Sequence, residues 1–422
     1  MRLLWGDKSG SAVVITAASM PLLIGAAGLA TDTIRWTLWK RQLQRAADTG
    51  AMAGAYALGQ GKTVSSAATA AIAKDSDVGT NTPTVENAPT AGDFAGNPDA
   101  VRVIVSASHP LPFSSMFIAT PTITAEATAA ILTNGKHCVI ALEETDTGIT
   151  IGGTATVDLG CGMATNSKAA NAVSASGNSC NTSTGVACVT ASPITAVGGL
   201  SASDKYTSST ELLPYSLPQS DPFSNLPDPS ASDFASCKSE LKVTPSDTPD
   251  LVEPGCYKGM DLNGTVTLKP GVYFIDGSTN KNFSIGAQAN VTGSGVTIIL
   301  TSSNATNDPA KIATMTINAG ATVNLTSPSA GDYKGVLFYQ DRLAQYGTVT
   351  INGNASSTLE GGIYFPSQKI NFLGTAGMNT DCIQIVGLKV EFSGTSKITN
   401  DTDDCPIDPA PGFTGAVVRL VA

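Results

Sequence analysis

SGSAVVITAASMPLLIGAAGLAT, Ser9–Thr31, carries no charged residue between Lys8 and Asp32. As an α-helix it rises about 34 Å, against a hydrocarbon core of about 30 Å, so it is long enough to cross a bilayer. Trp5 precedes the run and Trp36 and Trp39 follow it, where aromatic rings meet the two headgroup layers. Pro21 is tolerated in lipid, although it kinks a helix. A cleaved leader and a buried soluble helix are the competing readings. Leaders have a shorter apolar core, and Ala17, Ala18 and Ser19 make a poor cleavage signal inside this one. The expectation is a retained transmembrane helix over 9–31, with a cytoplasmic start over 1–8.

Outward from the span, the local charges point the wrong way. Arg35, Lys40, Arg41 and Arg45 follow it, whereas Arg2, Lys8 and the amino terminus precede it. The long body after the span can be translocated regardless of that bias. Its cysteines, Cys138, Cys161, Cys180, Cys188, Cys237, Cys256, Cys382 and Cys405, form no C-x-x-C pair, so an oxidised set outside the cytoplasm is expected rather than a metal site. Pairing of sequence neighbours suggests Cys138 with Cys161, Cys180 with Cys188, Cys237 with Cys256 and Cys382 with Cys405, one choice among many connectivities. A net charge of −10 argues against nucleic acid, which needs clustered Lys and Arg.

From Asp32 the chain reads as helix to about Leu58, with Ile34, Leu38, Leu43, Ala46, Ala47 and Ala53 on one face. A second helix fits Val64 to Lys74, a loop fits Asp75 to Pro98, and Val101, Val103 and Val105 alternate as a strand, followed by another at Thr122 to Ala127. A long helix with a small sheet over 32–134 is an α+β, pilin-like plan.

The amino-terminal residues also resemble a family. The Gly10-Ser11-Ala12-Val13 start, Pro21, the Gly-Leu-Ala-x-Asp stretch from Gly28 to Asp32, and Leu43-Gln44-Arg45-Ala46-Ala47-Asp48 are similar to TadG-like proteins of the bacterial Tad (Flp) pilus-assembly system. The resemblance implies an inner-membrane anchor, single-pass, with its amino terminus in the cytoplasm and its body outside, among other Tad components. Pseudopilins of that system carry a glutamate five residues after a cleavage glycine. Here Ile15 stands five after Gly10, which argues against processing by a prepilin peptidase.

Beyond His137 short β phrases recur: GITIGGTATVDLG at Gly148, MDLNGTVTLKPGVYFID at Met260, FSIGAQANVTGSGVTIIL at Phe283, MTINAGATVNLT at Met315, VTINGNASSTLEGGIYFP at Val349 and VEFSGTSKIT at Val390. Their apolar residues Ile285, Ile317, Ile351, Phe372 and Phe392 are 32, 34, 21 and 20 residues apart. Such steps predict stacked coils of a mainly β module, a right-handed parallel β-helix, with a β-sandwich as the alternative. First coils are expected over 135–200 and the rest over 255–422. Between them, 201–254 holds eight prolines and reads as an excursion over the coil surface, restrained by Cys237 and Cys256.

Few residues point to chemistry. Asp228-Pro229-Ser230-Ala231-Ser232 matches the cation-binding D-x-S-x-S pattern of von Willebrand A domains, which occur in some TadG-like relatives, but no apolar strand precedes it. Asp401, Asp403 and Asp404 read as a solvated turn. His109 and His137 read as structural. Asp341 and Arg342, with Asp276 and Glu360 on neighbouring coils, are the one group that polysaccharide cleavage could use, and a pair at a coil corner is the plainer reading. The sequence therefore predicts no catalytic residue, cofactor or metal. It predicts a membrane-anchored structural or adhesion component of a Tad-type pilus or secretion apparatus, with surface polysaccharide as a further partner; the alternative is an anchored polysaccharide lyase or hydrolase.

Overall fold

The computed structural model describes residues 9–75, 79–117, 119–181, 188–201, 203–247, 250–352, 357–374, 377–394, 397–401 and 414–421. Trp5, Asp403, Asp404 and Cys405 lie outside them. The chain divides into two compact units, Met1–Leu132 with Val417–Ala422, and Thr133–Ala416.

In the first unit, helix α1 spans Ser9–Gly59 with Pro21 inside it. At 51 residues it is about 75 Å long. Its two halves meet different surroundings. Val13, Leu22, Leu23 and Ile24 are each at least 60% exposed, and the most apolar window is wholly unburied. The later half packs through small residues: Leu43, Ala46, Ala47, Ala51 and Ala55 are fully buried. Helix α2, Val64–Asp75, lies against this half, and so does a sheet of three antiparallel strands, β1 Thr84–Asn87, β2 Ala100–Ser108 and β3 Thr122–Ala141. A Cβ on Gly50 would sit 2.8 Å from the Ile72 side chain, and one on Gly54 2.9 Å from Val101, so bare backbone sets the approach of all three layers. Ile34 and Leu38 do not share the buried face: they are 61% and 53% exposed, continuing the open surface of the preceding turns. On the α1 side the contact is made mainly by Ala and Gly, against which Ile72, Val101 and Val103 pack.

The second unit is built of parallel ladders. Val243, Leu262, Ile285, Ile317, Ile351, Phe372, Phe392, Ile151 and Ala175 pair in succession, each with the next, and all are buried. A neighbouring ladder runs Tyr273, Ile298, Phe338, Ile363, Ile385, Val139, Met163 and Ile194. A third joins Val266, Val291 and Val323, then Leu325 and Leu359. These inward residues form one apolar core. Each fully buried Ile or Val adds about 2 kcal/mol relative to exposure. At one corner three glycines with positive φ, Gly394, Gly153 and Gly177, follow one another; a Cβ on Gly177 would lie 2.3 Å from the Gly153 carbonyl oxygen.

The order of rungs is not the order of the chain. The strands at 139 and 151 lie next to those at 385 and 392, so the first rung made sits against the last. From there the chain climbs through Met163 and Ile194 to Leu212, and it resumes at the opposite end with the strands Leu241–Val243 and Gly255–Tyr257. The proline-rich segment therefore returns past the whole stack.

That segment covers an apolar outer stripe. Val296–Thr301 and Val336–Gln340 are buried at every position, the mark of strands covered on both faces. Ile299, Tyr339, Tyr364, Val386, Ile140 and Ala164 form this second cluster, with Phe223 and Tyr333. Disulfides join Cys138 to Cys161, Cys180 to Cys188 and Cys237 to Cys256. Cys382 is also disulfide-bonded. The Cys237–Cys256 bridge pins the end of the segment, and in a chain-entropy account its 19-residue loop is worth about 3 kcal/mol.

Candidate functional site

Arg342 follows the strand Val336–Gln340 and emerges beside the tyrosines of the outer stripe. Its guanidinium donates to the carbonyl oxygens of Phe223 at 2.7 Å, Ser224 at 3.1 Å and Leu226 at 3.1 Å, to the Tyr364 hydroxyl at 3.0 Å, and to Asp228 Oδ1. The cation also stands 5.5 Å from the ring centres of both Tyr339 and Tyr364. Burial alone would lower the Arg342 pKa; the Tyr364 hydrogen bond and the neighbouring oxygens raise it instead. The tyrosines extend the network: Tyr364 donates to Asp221 at 2.8 Å, Tyr339 to Asp228 at 2.8 Å and Tyr333 to the Pro227 carbonyl at 2.9 Å. Burial pushes the Tyr333 phenol up to about 12, aided by Asp233, Asp228 and Asp332, so it stays a donor. Each nitrogen of the Arg342 head donates to the proline-rich segment or to the tyrosine that helps hold it.

Asp341 does not pair with Arg342. It accepts from Thr301 Oγ1 at 2.8 Å and from the Leu343 amide at 3.0 Å, closing its own turn. Asp276 is buried, which would raise its carboxyl, but the amides and hydroxyls of Ser303 and Ser278 outweigh burial and hold it below the usual range. Glu360 lies on the third ladder, opposite Thr326. Of the four residues singled out in the sequence, Asp276 and Asp341 lie on either side of Thr301, with its rung between them, Arg342 follows Asp341 but turns to other partners, and Glu360 lies apart on the third ladder. A cleft of about 300 Å³ does open between Asp228, Thr301, Ser302, Ser303, Asp341 and Arg342. Both its carboxylates already accept hydrogen bonds from the protein.

Asp228 of the D-x-S-x-S motif is the partner of Arg342, and Ser230 and Asp233 cap a short turn, Ala231–Phe234. No cluster of metal-ligating side chains occurs among the described residues. His109 hydrogen-bonds the Gly79 carbonyl at 3.2 Å and packs on the Trp39 ring at 5.4 Å, while Trp36 is 49% exposed. His137 is buried, with Nε2 3.2 Å from Thr195 Oγ1, and burial lowers its pKa to about 4.

In the first unit the sequence motif Gly28 to Asp32 is a clasp. The Asp32 carboxylate is buried and accepts from the amides of Phe113 and Ser114 and from the Ser114 hydroxyl. A Cβ on Gly28 would lie 2.4 Å from the Phe113 ring, so only glycine admits that ring against the helix. Nothing local in 28–32 announces this partner, which lies about eighty residues away.

The chain thus combines an amino-terminal helix whose apolar, unburied first half is long enough to cross a membrane with a large body that is mostly parallel β. Residues 10–57 match the family described as "Putative Flp pilus-assembly TadE/G-like", and that stretch is α1. Over this helix the chain is similar to TadE/G-like proteins. No curated protein and no solved structure matches it.

Proposed function

We propose that the protein is a non-catalytic, membrane-anchored component of a Tad/Flp pilus-assembly or secretion apparatus. The observation that carries the reading is the coincidence of the family match, 10–57, with an apolar helix whose first half is unburied. The helix holds the chain in the cytoplasmic membrane with the amino terminus inside, and the disulfide-bonded body lies outside, where thiols are oxidised. The first unit, a long helix with a three-stranded sheet, serves as a pilin-like mount. The second is a parallel β-helix, a reading supported by the three in-register ladders, and it presents a rigid surface to other Tad components or to surface polysaccharide. The engagement of Arg342 and Asp341 within the fold supports scaffold over enzyme.

The test uses the full-length chain in its own cell. Deleting Ser9–Thr31 releases the protein from carbonate-washed membranes and abolishes pilus assembly, and denaturing thiol labelling of the intact protein finds no free cysteine. Arg342→Ala and Asp341→Asn change assembly only as they change the amount of folded protein. Cleavage of surface polysaccharide by detergent-purified protein, lost in either variant, would overturn the non-catalytic reading.

A further inference from the structure

The β2–β3 hairpin runs alongside α1, and its contacts form a ruler. Val101 faces Gly54, Val103 faces Gly50, the Glu126 carbonyl accepts from Gln44 at 2.8 Å, and the tip at Phe113 and Ser114 reaches Asp32. The tip therefore lies at the end of α1 where the uncharged run stops, and the Phe113 ring sits against Gly28, inside that run.

The tip is also unusual in composition and exposure. From Val103 to Ala125 the hairpin has no charged residue. Met116 and Phe117 are 75% and 74% exposed, and the Phe117 ring touches that of Phe113 at 5.6 Å between centres. In water these side chains carry a cost; in the interfacial layer of a bilayer they are favourable. The clasp explains how a carboxylate is kept at that depth, because its oxygens are satisfied by the tip's own amides and hydroxyl.

We infer that the hairpin tip is a second membrane contact, with Phe113, Met116 and Phe117 seated in the interfacial layer of the leaflet where α1 leaves the bilayer. The inference rests on α1 being a membrane span and deepens it: the unit stands on the lipid surface at two points, the helix and the tip. Continuity with the apolar surface of α1 favours lipid over a protein partner.

The test places a thiol-directed fluorophore at Phe117→Cys in the full-length protein, reconstituted in phosphatidylethanolamine and phosphatidylglycerol vesicles containing brominated lipid. Leu23→Cys reports the span, and Ala91→Cys, at the far end of the hairpin, reports the aqueous body. Met116→Cys repeats the measurement at a second tip site. The expected result is loss of emission at Leu23, Phe117 and Met116 with none at Ala91. Loss at Leu23 alone overturns the inference and leaves the anchor standing. No loss at Leu23 removes the anchor, and the inference with it. Tip labels shielded from aqueous iodide but not quenched by brominated lipid, and crosslinking to a second chain, would replace the lipid by a protein partner.

Discussion

Within the β module, the column from Val243 to Ala175 packs carbon against carbon, while on the outer stripe Tyr333, Tyr339 and Tyr364 pack their rings and send each hydroxyl outward. The inner face meets other strands, whose backbone groups are already paired in ladders, so it needs only shape and volume. The outer face meets a segment with too many prolines to join a ladder. The carbonyls of Ser224, Leu226 and Pro227 find their donors in Arg342 and Tyr333, and Arg342 adds a second donor to the Phe223 carbonyl, which the Leu226 amide already meets. An irregular layer can cover a sheet, provided the sheet carries named donors at named places.

The contrast is tested most severely on the inner face. Ile317→Asp or Ile351→Asp puts a carboxylate among apolar neighbours with no donor in reach, and a loss of about 4 kcal/mol or more is expected in denaturant unfolding. A loss near that of a surface change would mean that the column is not a core.

On the outer stripe, Arg342→Ala takes their donor from the carbonyls of Ser224 and Leu226, and its ion-pair partner from Asp228, and is expected to cost about 3 kcal/mol. The loss should be local. Limited proteolysis is expected to cut between Pro214 and Phe234 while the ladders stay protected; cleavage spread evenly over both would erase the distinction between the two faces.

Acid probes a buried group that depends on neither surface. His137 is neutral in the fold, with a pKa of about 4 against an ordinary 6.5. The unfolded chain binds the proton first, so this contribution is fully present above pH 6.5 and is lost as the pH falls toward 4. The loss is up to about 3 kcal/mol. In His137→Gln the slope of stability with pH across that window should flatten. The smallest effect belongs to Thr316→Asp, on the outward side of the same strand as Ile317, expected within about 0.5 kcal/mol. Parity with Ile317→Asp would defeat the register.

The inner column was legible because its residues repeat in one phrase: Ile285, Ile317, Ile351, Phe372 and Phe392 pair as their spacing predicts. The helix from Ser9 was legible for a similar reason, as a long run of one character. Ile34 and Leu38 were misassigned because hydrophobicity marks what can be buried, while the close approach of α1 to its neighbours is set by Gly50 and Gly54. The role of Arg342 could not be read from its neighbours, since its partners, Phe223 to Asp228, lie more than a hundred residues earlier. Gly28 and Asp32 were recognisable as a motif but not as a clasp, because the other jaw, Phe113 and Ser114, has no distinguishing pattern of its own.

Because Phe392 pairs with Ile151, assembly has a clock built into it. The strands at Val139 and Ile151 leave the ribosome well before the strand that will lie beneath them. At roughly 10 residues per second the wait is about half a minute. Through that interval the early rungs present an open strand edge, the kind that recruits other chains. The Cys138–Cys161 bridge links two of the waiting rungs. Arrival of the strand Gln384–Gly394 then caps them, so a strand translated late is the one that makes the early rungs safe.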